Sequence, residues 1–132
     1  MIVLDTHIWR WWVNQISGKL PSNIIDLIEE TVVVAIYAIS CFEMACLVRH
    51  QRIDLGMTFE QWFNEIETST GIQILPVTAR IGIRAVTLPE HHKDPQDRII
   101  IATARLNDAR LLSFDAAFPA YRELDGCLIQ AK

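Results

Sequence analysis

The sequence is short of the residues that carry most compact catalytic motifs. It has three cysteines, Cys41, Cys46 and Cys127, with no C-x-x-C pair among them. An odd, scattered set excludes a disulfide framework and a cysteine zinc site, and reads as core thiols in a reducing cytosol. The five glycines form neither a GxxxxGK[ST] nor a GxGxxG loop, which excludes nucleotide cradling of those kinds. The longest apolar runs, such as "VVVAIYAI", are too short to span a bilayer. The opening "MIVLDTH" has no basic leader and carries Asp5, so no signal peptide is expected. Positive charge is also lacking: the net charge is −4, and bulk electrostatics do not advertise a nucleic-acid binder. Nor is there a ready nucleophile, since Ser40 has no evident histidine base and Cys41 lies in an apolar stretch without a positive neighbour.

What is present is a globular composition. Apolar residues make up 51% of the chain, enough for one core, and one domain over 1–132 is expected. Nine of the twelve basic residues are arginine, including Arg49, Arg52, Arg80, Arg84 and Arg98. Arginine suits bidentate phosphate contacts, although a solvated face accounts for such residues equally simply.

The pattern alternates strands and helices. "MIVLD" reads as a strand ending on an acid, and "THIWRWWVNQ" as a helix with Ile8, Trp12 and Trp9 inward. Ser22 starts a second helix, "SNIIDLIEE". "VVVAIYAI" is β-branched enough for a strand covered on both faces, and Ser40 is expected to cap the helix "SCFEMACLVRHQR". Phe59, Trp62, Phe63 and Ile66 recur at helical spacing behind a Thr58/Gln61 capping box, a core stripe. "IQILPV", "RLLSF" and "GCLIQA" read as further strands. "TARIGIRAVTL" and residues 95–107 read as helices, with Gly82 expected to allow a close approach. The expected fold is an α/β, three-layer α/β/α sandwich around a mainly parallel sheet.

Four acids then stand out. Asp5 ends the first strand, Glu43 lies one turn beyond the second, Asp97 is in the first turn of a late helix, and Asp115 follows "RLLSF". Open α/β sheets bind ligands at the carboxyl ends of their strands, so these four are expected along one edge. Each also has a capping account: Asp5 before Thr6, a Ser40/Glu43 box, Asp94 before Pro95 with Asp97 third, and Asp115 before "AAFPAY". Caps are each worth ~1 kcal/mol. Two carboxylates ~4 Å apart repel by about 4 kcal/mol at an effective dielectric near 20. Something positive must therefore sit among them, or some must take up protons. His7, Arg10 and Arg98 are candidate cations, but Arg98 is turned about 100° around its helix from Asp97. An oxygen-only set without a histidine or cysteine cluster suits Mg²⁺ or Mn²⁺, and such sites serve phosphoryl chemistry through an activated water.

"IVLDTH", "AISCFEMA", "DPQDRIIIATA" and "LLSFD", in this order, resemble the PIN-domain family, and most closely its VapC-type ribonuclease toxins. The likeness spans essentially the whole chain. It implies that Asp5, Glu43 and Asp97 hold the metal with Asp115 as a fourth acid, and that Thr6 and Ser113 orient carboxylates. Ser113 stands where such proteins often have threonine. It further implies Mg²⁺- or Mn²⁺-dependent RNA endonuclease activity, a cognate antitoxin and homodimers, while the thiols and short apolar runs already lead us to expect a cytoplasmic protein outside the membrane. His7 is expected to be a hydrogen-bonded structural imidazole, and His91 and His92 a solvated turn. Two other readings fit an acidic cluster: a Mg²⁺-binding receiver-like phosphoacceptor, and a catalytically silent relative acting through a protein partner. A receiver predicts a lysine after a late strand, and Lys19, Lys93 and Lys132 are not so placed.

Overall fold

The computed structural model describes residues 1–90 and 94–130. Five strands, β1 (Ile2–Leu4), β2 (Val34–Tyr37), β3 (Gln73–Leu75), β4 (Arg110–Ser113) and β5 (Leu128–Gln130), form one sheet in the order β3-β2-β1-β4-β5. Each neighbouring pair is parallel, with Val3 opposite both Ala35 and Leu111. Helices α1 (Thr6–Val13), α2 (Ser22–Glu30), α3 (Ala38–Arg49), α4 (Phe59–Thr70), α5 (Ala79–Val86) and α6 (Pro95–Leu106) make the connections.

Side chains alternate across the strands, which is why the strand sequences read as uninterrupted apolar runs. Ile2, Leu4, Ile36 and Leu112 meet Ile8, Trp9, Ile28, Met44 and Trp62 on one face. Val3, Ala35, Tyr37 and Leu111 meet Ile101, Phe118 and Tyr121 on the other. The expected three layers result. A smaller cluster of Ile81, Ala85 and Ala102 fastens α5 to α6.

Strand order reverses direction between β1 and β4: the chain moves outward through β2 and β3, then returns to the far side of β1. A crevice opens at such a switch point, beyond the carboxyl ends of the two strands.

Several local expectations change. Trp9, not Trp12, is the fully buried tryptophan of α1. β2 is shorter than its apolar run, because α3 starts directly after it at Ala38. Ser40 is thus inside α3, the residue before the helix is Tyr37, and no side-chain cap forms there. Gly82 has nothing within 4 Å of the position a Cβ would take, so no close approach depends on it. The Thr58/Gln61 capping box is present, with Gly71 in the left-handed conformation that ends α4. His91, His92 and Lys93 lie outside the described residues. No helix among those described is long and apolar enough to cross a membrane.

Candidate active site

Asp5 leaves the end of β1 and serves two partners at once. Its Oδ1 accepts the Ile8 backbone N–H at 2.9 Å and so caps α1, while its Oδ2 accepts the Ser113 hydroxyl at 2.5 Å. Ser113 in turn accepts the Asp115 backbone N–H at 3.0 Å. The two residues ending β1 and β4 are therefore clamped across the switch point. Asp115 Oδ1 accepts the Ala117 N–H at 2.9 Å, the turn-capping role its sequence position suggested.

Glu43 is held from two sides. Thr6 Oγ1 donates to its Oε1 at 2.8 Å, and the Tyr37 hydroxyl donates to the same oxygen at 3.3 Å. Thr6 also lies 2.8 Å from the buried Ser40 hydroxyl. The capping box expected of Ser40 and Glu43 is replaced by this polar group, which ties α1 to α3. The same Tyr37 hydroxyl lies 3.5 Å from the Gln96 carbonyl in the first turn of α6. Asp94 caps that helix, accepting the Gln96 N–H at 2.9 Å, with Pro95 at its first position.

Asp5, Glu43, Asp97 and Asp115 all line one cavity of about 390 Å³, with Thr6, His7, Tyr37 and Asp94 among the other walls. Ser113 reaches it through Asp5. Arg10 and Arg98 do not line it. Arg98 turns back to the carbonyls of Leu88, Pro89 and Val86 at 2.6, 2.9 and 3.1 Å, where its charge suits the C-terminal end of α5. Among the described lining residues, His7 is the one basic side chain. It is exposed at the rim with its ring 5.7 Å from Trp11.

Burial pushes the Asp5 carboxyl above its usual range, and nearby Asp115 adds to this. Ser113, the Ile8 N–H and His7 oppose it. The Tyr37 phenol is also pushed up, first by burial, then by the charges of Glu43, Asp97 and Asp5. It stays a hydrogen-bond donor across the working pH range.

Among the described residues, no three His, Cys, Asp or Glu side chains are drawn together tightly enough to enclose an ion by themselves. The donor chemistry nevertheless fits a hard divalent ion. Every candidate ligand is a carboxylate oxygen, and Mg²⁺ characteristically takes one or two carboxylates and completes its shell with water. A cavity of this size leaves room for that water.

Tyr37 and Ser40 were passed over in the sequence, one as a strand residue and the other as a cap. Nothing in the sequence marks Tyr37 as more than a strand residue, because the partners of its hydroxyl lie on α3 and α6.

An acid-lined crevice at the switch point of a parallel α/β sheet is a ligand-binding site whose donors suit a hard cation. Residues 2–124 match the PIN domain, and the chain belongs to the PIN-domain family. It is 30% identical over 122 residues to Ribonuclease VapC22 of Mycobacterium tuberculosis, covering 92% of each chain. Its fold is similar to that in a toxin–antitoxin complex from Klebsiella pneumoniae, with a TM-score of 0.69, 20% identity and coverage of 100% of this chain and 98% of that one. VapBC2 from Rickettsia felis, bound to a DNA fragment from its promoter, gives the same TM-score at 18% identity and 100% coverage of both chains.

Proposed function

We propose that this protein is a divalent-metal-dependent endoribonuclease, the toxin of a VapC-type toxin–antitoxin pair, formed by a single domain over 1–132. One observation carries the reading: Asp5, Glu43, Asp97 and Asp115, from four distant segments, line one cavity whose described walls hold no lysine or arginine. The family match and the 30% identity to a ribonuclease support it.

In this reading Asp5, Glu43 and Asp97 hold Mg²⁺ or Mn²⁺, with Asp115 beside them. The ion supplies Lewis acidity toward a phosphate oxygen and makes a water molecule a better nucleophile. The chain's own groups set the geometry. Thr6 and Tyr37 fix Glu43, and Ser113 fixes Asp5, so neither carboxylate must be ordered when RNA arrives. Hydrolysis adds water across a P–O bond of the RNA strand, and no side chain becomes covalently attached. The toxin–antitoxin assemblies among structures of similar fold support an antitoxin partner, and on the family likeness alone we propose homodimers in the cytoplasm.

The test is cleavage of total RNA by the purified protein with Mg²⁺, Mn²⁺ or EDTA. EDTA is expected to stop cleavage. Asp5→Asn and Asp97→Asn are expected to lower it about a hundredfold or more, since several kcal/mol of charge stabilisation are at stake, with circular dichroism unchanged. Parental cleavage by Asp97→Asn would sink the mechanism.

A further inference from the structure

We infer that Trp11, with His7 and Phe114, is a stacking platform for an unpaired nucleobase of the RNA strand beside the acid-lined cavity. This rests on the ribonuclease reading and names how the strand is gripped.

The argument begins with what four tryptophans do. Trp9 and Trp62 are buried in the core beneath α1, and Trp12 packs against it. Trp11 belongs to none of the core clusters. Helical geometry explains the split: Ile8, Trp9 and Trp12 share the inward face of α1, while His7 and Trp11, four residues apart, share another. That other face turns to the cavity, which both residues line. Trp11 is half-buried rather than part of the core, so some of its ring remains accessible beside the acids.

The rings are arranged in series. His7 and Trp11 have centroids 5.7 Å apart and tilted by 32°, and Trp11 and Phe114 are 5.7 Å apart at 57°. Phe114 follows Ser113 and precedes Asp115, whereas His7 comes two residues after Asp5. Both ends of the array are thus tied to the acids. Trp11 also lines a second cavity of about 490 Å³ with Trp12, Gln15, Ile16 and Leu20, and so joins the two. The Lys19 ammonium lies over the Trp11 ring, 5.8 Å from its centre, a cation that a bound strand's phosphate could draw off the ring.

An aromatic surface with a neighbouring cation fits single-stranded nucleic acid. Every base has a face that can stack, and cations meet the phosphates between bases. In a duplex those faces are covered, so the platform selects unpaired RNA. A phosphate could then enter the acidic cavity while an adjacent base rests on Trp11.

The experiment measures binding of a fluorescein-labelled oligouridine by anisotropy, with Asp97→Asn as the cleavage-silent parent. Adding Trp11→Ala is expected to weaken binding ~5- to ~150-fold, the range for loss of one base–aromatic stack. Adding Trp11→Phe should restore most of it. Unlabelled oligouridine should quench tryptophan fluorescence in the parent and much less in Trp11→Ala. Mn²⁺ affinity and circular dichroism, measured with Trp11→Ala alone, should match the unsubstituted protein, which separates stacking from folding and metal binding. Oligouridine affinity unchanged by Trp11→Ala would overturn the platform and leave that face to an apolar protein partner. If the unsubstituted protein cuts RNA and only the Trp11 result fails, the platform alone is wrong. If it neither cuts nor binds RNA, the ribonuclease reading fails first.

Discussion

The Tyr37 hydroxyl has one proton and two acceptors within reach, Glu43 Oε1 and the Gln96 carbonyl. It therefore divides that proton between a carboxylate on α3 and the helix that carries Asp97, with the shorter contact to Glu43. Tyr37→Phe keeps the buried ring and deletes the link, and Mn²⁺ affinity is expected to fall about tenfold, the lower end for partners that orient ligands. Isothermal titration would show it, and an unchanged affinity would mean Thr6 alone suffices to fix Glu43. Asp5 teaches a related lesson. Capping and ion binding looked like rival accounts in the sequence, yet a carboxylate has two oxygens and about four acceptor directions. One oxygen caps α1 and the other meets Ser113. The acids themselves were legible because each follows a strand or opens a helix. Tyr37 was not, because a tyrosine in an apolar strand looks the same whether or not its hydroxyl has work to do.

At the scale of elements, α6 was readable to within a residue because D-P-x-D supplies a cap, a proline at the first turn and an acid in that turn. Asp94 lines the cavity as well as capping the helix, so its two roles need separating. Asp94→Ala is expected to cost about 1 kcal/mol and to lower the thermal midpoint by about 3–5 °C, while cleavage persists. Asp97→Asn should do the reverse. Loss of cleavage in Asp94→Ala at an unchanged midpoint would make Asp94 a site acid. The start of α3 was misread for a physical reason. A capping box is a local signal, and Ser40 instead found Thr6 across the packing between α1 and α3. Nothing within the segment 32–49 announces that partner.

For the molecule as a whole, strand alternation with helices pointed to the sheet and its layers, but not to the order β3-β2-β1-β4-β5, which long-range packing decides. That order seats Asp5 among other acids, and burial raises its affinity for a proton. Its unfolded carboxyl titrates near the usual 3.8. Between that value and the higher folded one, the native state holds more protons than the unfolded state. This group's contribution to the stability of ion-free protein therefore falls as pH rises through the window, and is most favourable below it. Under the proposed function a bound divalent ion offsets the cost, adding about 2.7 kcal/mol at a hundred times its dissociation constant. Urea denaturation in EDTA and in Mn²⁺, from about pH 4 to pH 7, should show a gap that widens with pH. Asp5→Asn, which keeps a capping oxygen, should flatten the ion-free slope and shrink the gap. A gap independent of pH would argue against burial as the origin of the shift.

The clamp between Asp5 and Ser113 spans 108 positions of sequence. No local segment can form this contact: the strand that carries Ser113 must first be laid beside β1. The crevice is therefore assembled late in folding, because closing so long a loop must precede the contact that rewards it.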